Sequence, residues 1–212
     1  MLRRSFTFAL LLFALAAAPC LSQDTWHREA DRLSTLLHWH AGSVVAEVGA
    51  GNGELTSLTA DRVGPSGKVY TTELDTAKLS HLKELTSQHA NVTVIQAGDA
   101  STNLPHACCD SIFMRLVYHH LTKPAEIDAS LFQSLKPGGH LAVIDEIPSK
   151  GSSVPEGVPK NRGGHGIPQQ ILISELTDAG FKVETSENNW PPGDAYHQIY
   201  CVVFVKPDNS KQ

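Results

Sequence analysis

The densest chemical signal in the chain is Glu47-Val48-Gly49-Ala50-Gly51-Asn52-Gly53, an acid followed by three alternating glycines. Glycine takes positive φ without a Cβ clash, and its bare backbone lets amides approach a ligand closely. A phosphate is not the favoured guest. The dinucleotide-binding fingerprint needs a third glycine three positions after the second, and that position is Glu54, whose charge would crowd a pyrophosphate. No Gly-Lys-Ser/Thr follows the turn, which excludes a Walker loop. Two further acids, Glu73 and Asp99, are acceptors suited to hydroxyls or amines, and the pair His119-His120 offers rings that take a proton near neutral pH. His119, His120, Glu146 and His165 are ligand types that suit a metal. No HxxxH or HxH spacing groups them, so no metal is expected.

These residues need elements to hold them. Val44–Val48 is a short apolar run that reads as a buried parallel strand feeding the glycine turn. A leading amphipathic helix spans Asp24–His40, with Asp24 as its cap and Gly42 ending it, and a second helix spans Glu54–Val63. Lys68–Glu73 and Asn91–Gln96 read as strands around a helix over Ala77–Gln88. Asp110–Leu116 is a fourth strand, Pro124–Leu135 a helix opened by proline, and His140–Glu146 a fifth strand. Ser149–Gly166 is rich in Gly, Pro and Ser and reads as a long mobile loop, placed to act as a lid carrying His165. A helix over Gln169–Ala179 and strands over Phe181–Glu184 and His197–Val205 complete the order. Strands alternating with helices require a mostly parallel sheet with right-handed crossovers.

In this order the chain resembles the class I S-adenosylmethionine-dependent methyltransferases. Their first motif, an acid before GxGxG, is present as Glu47, Gly49, Gly51 and Gly53. Val69-Tyr70-Thr71-Thr72-Glu73, Gln96-Ala97-Gly98-Asp99-Ala100, Asp110-Ser111-Ile112-Phe113-Met114 and Leu135-Lys136-Pro137-Gly138-Gly139 resemble the later motifs. The likeness runs from about residue 30 to 205. It implies a Rossmann-like three-layer α/β sandwich whose seven-stranded sheet is mostly parallel with an antiparallel last strand. It implies S-adenosyl-L-methionine as cofactor, bound by Glu47, Gly49, Gly51, Asn52, Gly53, Glu73, Asp99, Ala100 and Arg115. Glu73 would take the ribose hydroxyls and Asp99 the adenine amine, while Glu47 orients the loop or meets the methionine ammonium. His119 and His120 are the candidate catalytic residues, with orientation beside the cofactor favoured over proton transfer. Trp190-Pro191-Pro192 lines an acceptor pocket or packs inside.

Composition bounds the partners. Met1-Leu2-Arg3-Arg4 precedes an apolar run from Phe6 to Ala18, the pattern of an export signal over residues 1–22, with one domain over 23–212. The run is too short to span a bilayer comfortably. No stable membrane insertion is expected after cleavage, and an uncleaved anchor is the alternative. Removing Arg3 and Arg4 leaves 15 basic against 22 acidic residues, with no basic cluster, so nucleic acid is a poor partner. Cys108, Cys109 and Cys201 suggest neither a disulfide framework nor a zinc site, and free or weakly oxidised thiols are expected. The leading expectation is a methyltransferase acting on a small molecule or an exposed protein side chain. A cofactor-binding module without turnover is the second class. A nucleotide-dependent oxidoreductase is the third, against which Glu54 and the Lys-Pro-Gly-Gly turn both count.

Overall fold

The computed structural model describes residues 18–192 and 198–208. The chain forms α1 (Ala18–Leu36), β1 (Val44–Val48), α2 (Glu54–Val63), β2 (Lys68–Glu73), α3 (Thr76–Leu85), β3 (Val92–Gln96), β4 (Cys109–Arg115), α4 (Pro124–Ser134), β5 (Leu135–Glu146), α5 (Gln169–Asp178), β6 (Lys182–Asn188) and β7 (Ile199–Val205). The sheet order is β3-β2-β1-β4-β5-β7-β6. β7 runs antiparallel to both of its neighbours, and every other pairing is parallel. This is the expected Rossmann-like sandwich. Of the expected export signal, residues 1–17 lie outside the described residues, and 18–22 continue the backbone of α1. His197, the expected start of the last strand, also lies outside them. Among the described residues no helix is long and apolar enough to cross a membrane.

Strand alternation builds two cores. Val45, Phe113, Ala142, Ile144 and Val203 point to the face covered by α1 and α2 through Ala30, Leu33, Leu55, Ala60 and Val63. Ala46, Ile112, Met114, Leu141, Val143 and Val202 point the other way, against Ile127 and Leu131 of α4 and Leu172 and Leu176 of α5. Each such leucine, taken wholly out of water, contributes roughly 1.5–3 kcal/mol before its cavity term. Continuous apolar runs in β4, β5 and β7 follow from burial on both faces.

Several expectations are corrected. Asp24 is not a cap: α1 begins at Ala18, and Asp24 instead faces Arg28 at 3.7 Å, one turn on. Gly42 does not end that helix. His38, at φ 55, breaks it four residues earlier, and Trp39 turns inward to donate to the Ser111 hydroxyl at 2.8 Å. Cys108 and Cys109, expected as free or weakly oxidised thiols, are joined in a vicinal disulfide where β4 begins, and Cys109 is buried. Cys201 is free and buried. Trp190, in contrast, packs inside as one of its two readings has it, fully buried in the α1/α2 core.

Candidate functional site

The chain leaves β1 outward to β2 and β3, then returns to β4 on the other side. The carboxyl ends of β1 and β4 therefore flank the switch in strand order, the crevice where open α/β sheets hold ligands. The glycine turn enters there. Gly49 has φ 77, and a Cβ on it would lie 2.5 Å from Val117 Cγ2, so only glycine lets the end of β1 pack against the turn after β4. Gly51, at φ 59, has no atom within 4 Å of the Cβ it lacks, so its open side faces space. The loop amides are less available than expected. Gly49 and Ala50 both donate to the Thr72 carbonyl, at 2.9 and 3.0 Å, and Gly51 donates to Glu73 Oε2 at 2.9 Å. The turn thus offers a ligand close approach and the uncapped N-terminus of α2, rather than the Gly49–Gly51 amides.

Gly49, Gly51, Glu73, Asp99, Arg115 and His120 line one cleft of about 410 Å³, bringing together positions that lie tens of residues apart in sequence. Glu73 is nearly buried. Its Oε1 accepts from the amides of Leu74 and Asp75 at 2.8 and 3.0 Å, and Oε2 from Gly51. A carboxylate has about four lone-pair positions. Three are used, which leaves Glu73 room for one further donor rather than two. Asp99 is exposed and pairs with Lys123 at 2.7 Å, and that hydrogen bond holds its carboxyl below the usual range. Surface pairs of this kind are weak and easily exchanged for another donor.

Across the glycine turn a smaller pocket of about 270 Å³ is lined by Trp26, Glu47, Gly49, Gly51, Asn52 and Arg115, among others. The Glu47 carboxylate is buried and accepts from the Thr56 hydroxyl. Burial pushes it up to about 8, against the opposing effect of that bond. Arg115 is already engaged: Glu29 of α1 takes its Nε and Nη2 at 2.7 and 2.9 Å, and its guanidinium stacks 4.4 Å from the Trp26 ring. Gly53 and Ala100 line neither cavity. Gly53 serves α3 instead, since a Cβ there would meet Leu82 and Leu85 at 2.7 and 2.8 Å.

His119 follows β4 in a short turn over Tyr118–His120. Its Nδ1 lies 2.7 Å from Asp145 Oδ1, and its backbone amide donates to Asp145 Oδ2 at 3.1 Å, both groups being buried. Its Nε2 is buried with no hydrogen-bond partner. His165 Nδ1 lies 2.9 Å from Glu146 Oε1. Centroids in the group His119, His120 and His165 are 4.1, 4.6 and 5.3 Å apart. Burial, then the two neighbouring imidazoles, lowers His120 from its ordinary value. Beneath this group the Tyr118 hydroxyl lies 3.0 Å from both Asp128 and Glu175, while buried Arg162 donates to the Tyr118 carbonyl at 2.9 Å and to Glu175 at 2.6 Å. Sequence reading missed Glu29, Thr56, Lys123 and Arg162. Their residue types carry no local motif.

A family model described as a methyltransferase domain matches residues 46–143. The ubiquinone/menaquinone biosynthesis C-methyltransferase UbiE of Proteus mirabilis is 29% identical over 104 residues, 48% of this chain and 41% of that protein. The chain thus spans less than half the length of that curated relative. A SAM-dependent methyltransferase structure from Aquifex aeolicus superposes with TM-score 0.69 at 22% identity, covering 92% of this chain and 99% of that one. The structure of a possible exported protein from Bordetella parapertussis gives TM-score 0.65 at 18% identity, over 90% of this chain and 70% of that one. These two likenesses bear on the fold alone. The motif order, the methyltransferase domain matched over residues 46–143 and the sheet topology agree, and the chain is similar to the class I S-adenosylmethionine-dependent methyltransferases.

Proposed function

We propose that this protein transfers a methyl group from S-adenosylmethionine to a small molecule or an exposed protein side chain. One observation carries the reading: the glycine turn, Glu73 and Asp99 line a single cleft at the switch point. Its volume falls in the range of small-ligand sites. When bound, the cofactor supplies a methyl carried on a sulfonium, open to in-line displacement by a nucleophile. The protein's own residues orient the reactants and keep out water. Glu73 accepts from one ribose hydroxyl, Asp99 exchanges Lys123 for the adenine amine, and Glu47 stands ready to meet a cationic group. His120 lines the cleft beside His119, whose ring Asp145 fixes, so the histidines mark the acceptor end and orient what binds there.

Calorimetry with S-adenosylmethionine and S-adenosylhomocysteine tests the binding half, and labelled methyl donor added to a cell extract tests the transfer half. Binding plus a labelled product is expected. Failure of both ligands to bind at millimolar concentration sinks the proposal.

We also infer that residues 1–22 direct export, from the charged start and apolar run of the sequence. Cofactor is made inside the cell, so export favours one second reading, a binding module without turnover. Cofactor uptake with no methyl consumed across a wide acceptor panel supports that module. Mass spectrometry of the cell-derived N-terminus decides the export inference, and an intact Met1 overturns it.

A further inference from the structure

Three imidazoles and two carboxylates meet at the carboxyl ends of β4 and β5. His119 and His120 follow β4, and His165 arrives at the end of the Ser149–Gly166 connection. One nitrogen from each ring lies within 4.8 Å of the others. His119 and His165 each place Nδ1 against a carboxylate, Asp145 and Glu146, which are consecutive at the end of β5. That pairing fixes ring orientation and leaves Nε2 as the basic atom, the relation by which outer carboxylates support metal-binding histidines. His119 supplies an independent sign. Its side chain is 1% exposed, yet its Nε2 has no partner among the described residues. A buried polar atom left unpaired is costly, and a metal bond removes that cost.

We propose that His119, His120 and His165 form a three-histidine site for a divalent transition metal ion of the zinc type. Imidazoles without thiolates suit zinc, copper, nickel or iron, and do not suit magnesium or calcium. Bonds of about 2.0–2.1 Å in a tetrahedral set put the nitrogens roughly 3.3 Å apart, so the rings must draw closer than they stand. His120 and His165 are exposed enough to turn, while His119 stays fixed by Asp145. Three protein ligands leave the fourth position open. Because His120 lines the cleft, that position is available to an oxygen, nitrogen or sulfur of an acceptor.

The role in catalysis rests on the proposed methyl transfer, whereas ion binding does not. An acceptor X–H held on the ion loses its proton to solvent. The freed electron pair then forms the X–CH₃ bond as the S–CH₃ bond breaks, its electrons returning to sulfur to give the neutral thioether. No protein base is required.

The full chain, stripped by a chelator, is titrated with Co²⁺ followed by visible absorption and with Zn²⁺ followed by calorimetry. One ion per chain is expected, with cobalt bands that zinc abolishes. His165→Ala removes a half-exposed ring and should weaken zinc at least tenfold while leaving the metal-free circular dichroism melt unchanged. Asp145→Asn, which disturbs a positioning residue, should weaken it roughly 10–100-fold. Absence of cobalt bands and of zinc binding at micromolar concentration overturns the site, as does unaltered zinc affinity in His165→Ala. Binding of S-adenosylhomocysteine to the metal-free protein separates the two ideas. Zinc uptake without cofactor uptake sinks the methyl-transfer reading and leaves the ion site standing, and the reverse result sinks the ion site alone.

Discussion

Glu47 sits where burial and chemistry pull apart. Its carboxyl is enclosed at the end of β1, with the Thr56 hydroxyl as donor, and is raised to about 8. Between its ordinary value of 4.5 and about 8 the folded protein keeps a proton that the unfolded chain has released. Stability must therefore fall as pH rises across that window, and it levels off above it. Glu47→Gln keeps an acceptor for Thr56 and removes the ionisation. At pH 5 the variant should match wild type to within about 1 kcal/mol, and at pH 9 it should be the more stable by on the order of 2–4 kcal/mol. Urea midpoints at the two pH values measure this. Parallel decline of both proteins would show that the carboxyl is better solvated than its burial implies. A cation bound beside Glu47 reverses its preference, which gives a buried acid a use in a cofactor site.

The connection from β5 to α5 shows how an element escapes its composition. Gly, Pro and Ser predict a mobile lid over Ser149–Gly166, yet the structure ties the segment down, through His165 to Glu146 and most deeply at Arg162. Arg162 closes a short turn over Lys160–Arg162, is fully buried, and reaches both the Tyr118 carbonyl and Glu175 of α5. It thereby links the His119-His120 turn to the helix below and sets the approach of His165. Arg162→Ala would strip the Tyr118 carbonyl of its side-chain donor and Glu175 of its cationic partner, leaving Glu175 only the Tyr118 hydroxyl. Breaking a buried pair on one side costs about 3–5 kcal/mol. A loss of that size in urea denaturation is expected, together with proteolysis inside residues 149–166 under conditions that spare wild type. If the variant loses less than about 1 kcal/mol and resists protease, the segment is held by something other than Arg162.

For the whole molecule, legibility followed sequence distance. β1, α2 and β2 have the expected bounds because apolar runs, capping glycines and turn residues are local. The glycine turn, Glu73 and Asp99 were legible as neighbours because topology places consecutive strand ends in one crevice. Side-chain pairings across the fold were not. Arg115 meets Glu29, and His165 joins His119, through contacts that no periodicity encodes. Residue spacing likewise gave no sign that His119, His120 and His165 converge.

The shared cleft makes one molecule-wide demand: a guest must stabilise the entire fold, and the two acids must matter in different ways. At a hundred times its dissociation constant, S-adenosylhomocysteine adds about 2.7 kcal/mol. For a chain of this size that raises the melting temperature by roughly 5–10 °C. Asp99 is 63% exposed and holds only Lys123, so Asp99→Ala should melt like wild type without ligand while binding roughly tenfold more weakly. Glu73→Gln is a different injury. Turned toward Gly51, the new amide nitrogen sets a donor against a donor; turned the other way, it does the same to Leu74 and Asp75. It should lose about 1–3 kcal/mol of stability before any ligand is added, and most of the thermal shift afterwards. Equal behaviour of the two variants in both measurements would mean that Glu73 does not couple the glycine turn to the ligand, and the geometry of the cleft would need another explanation.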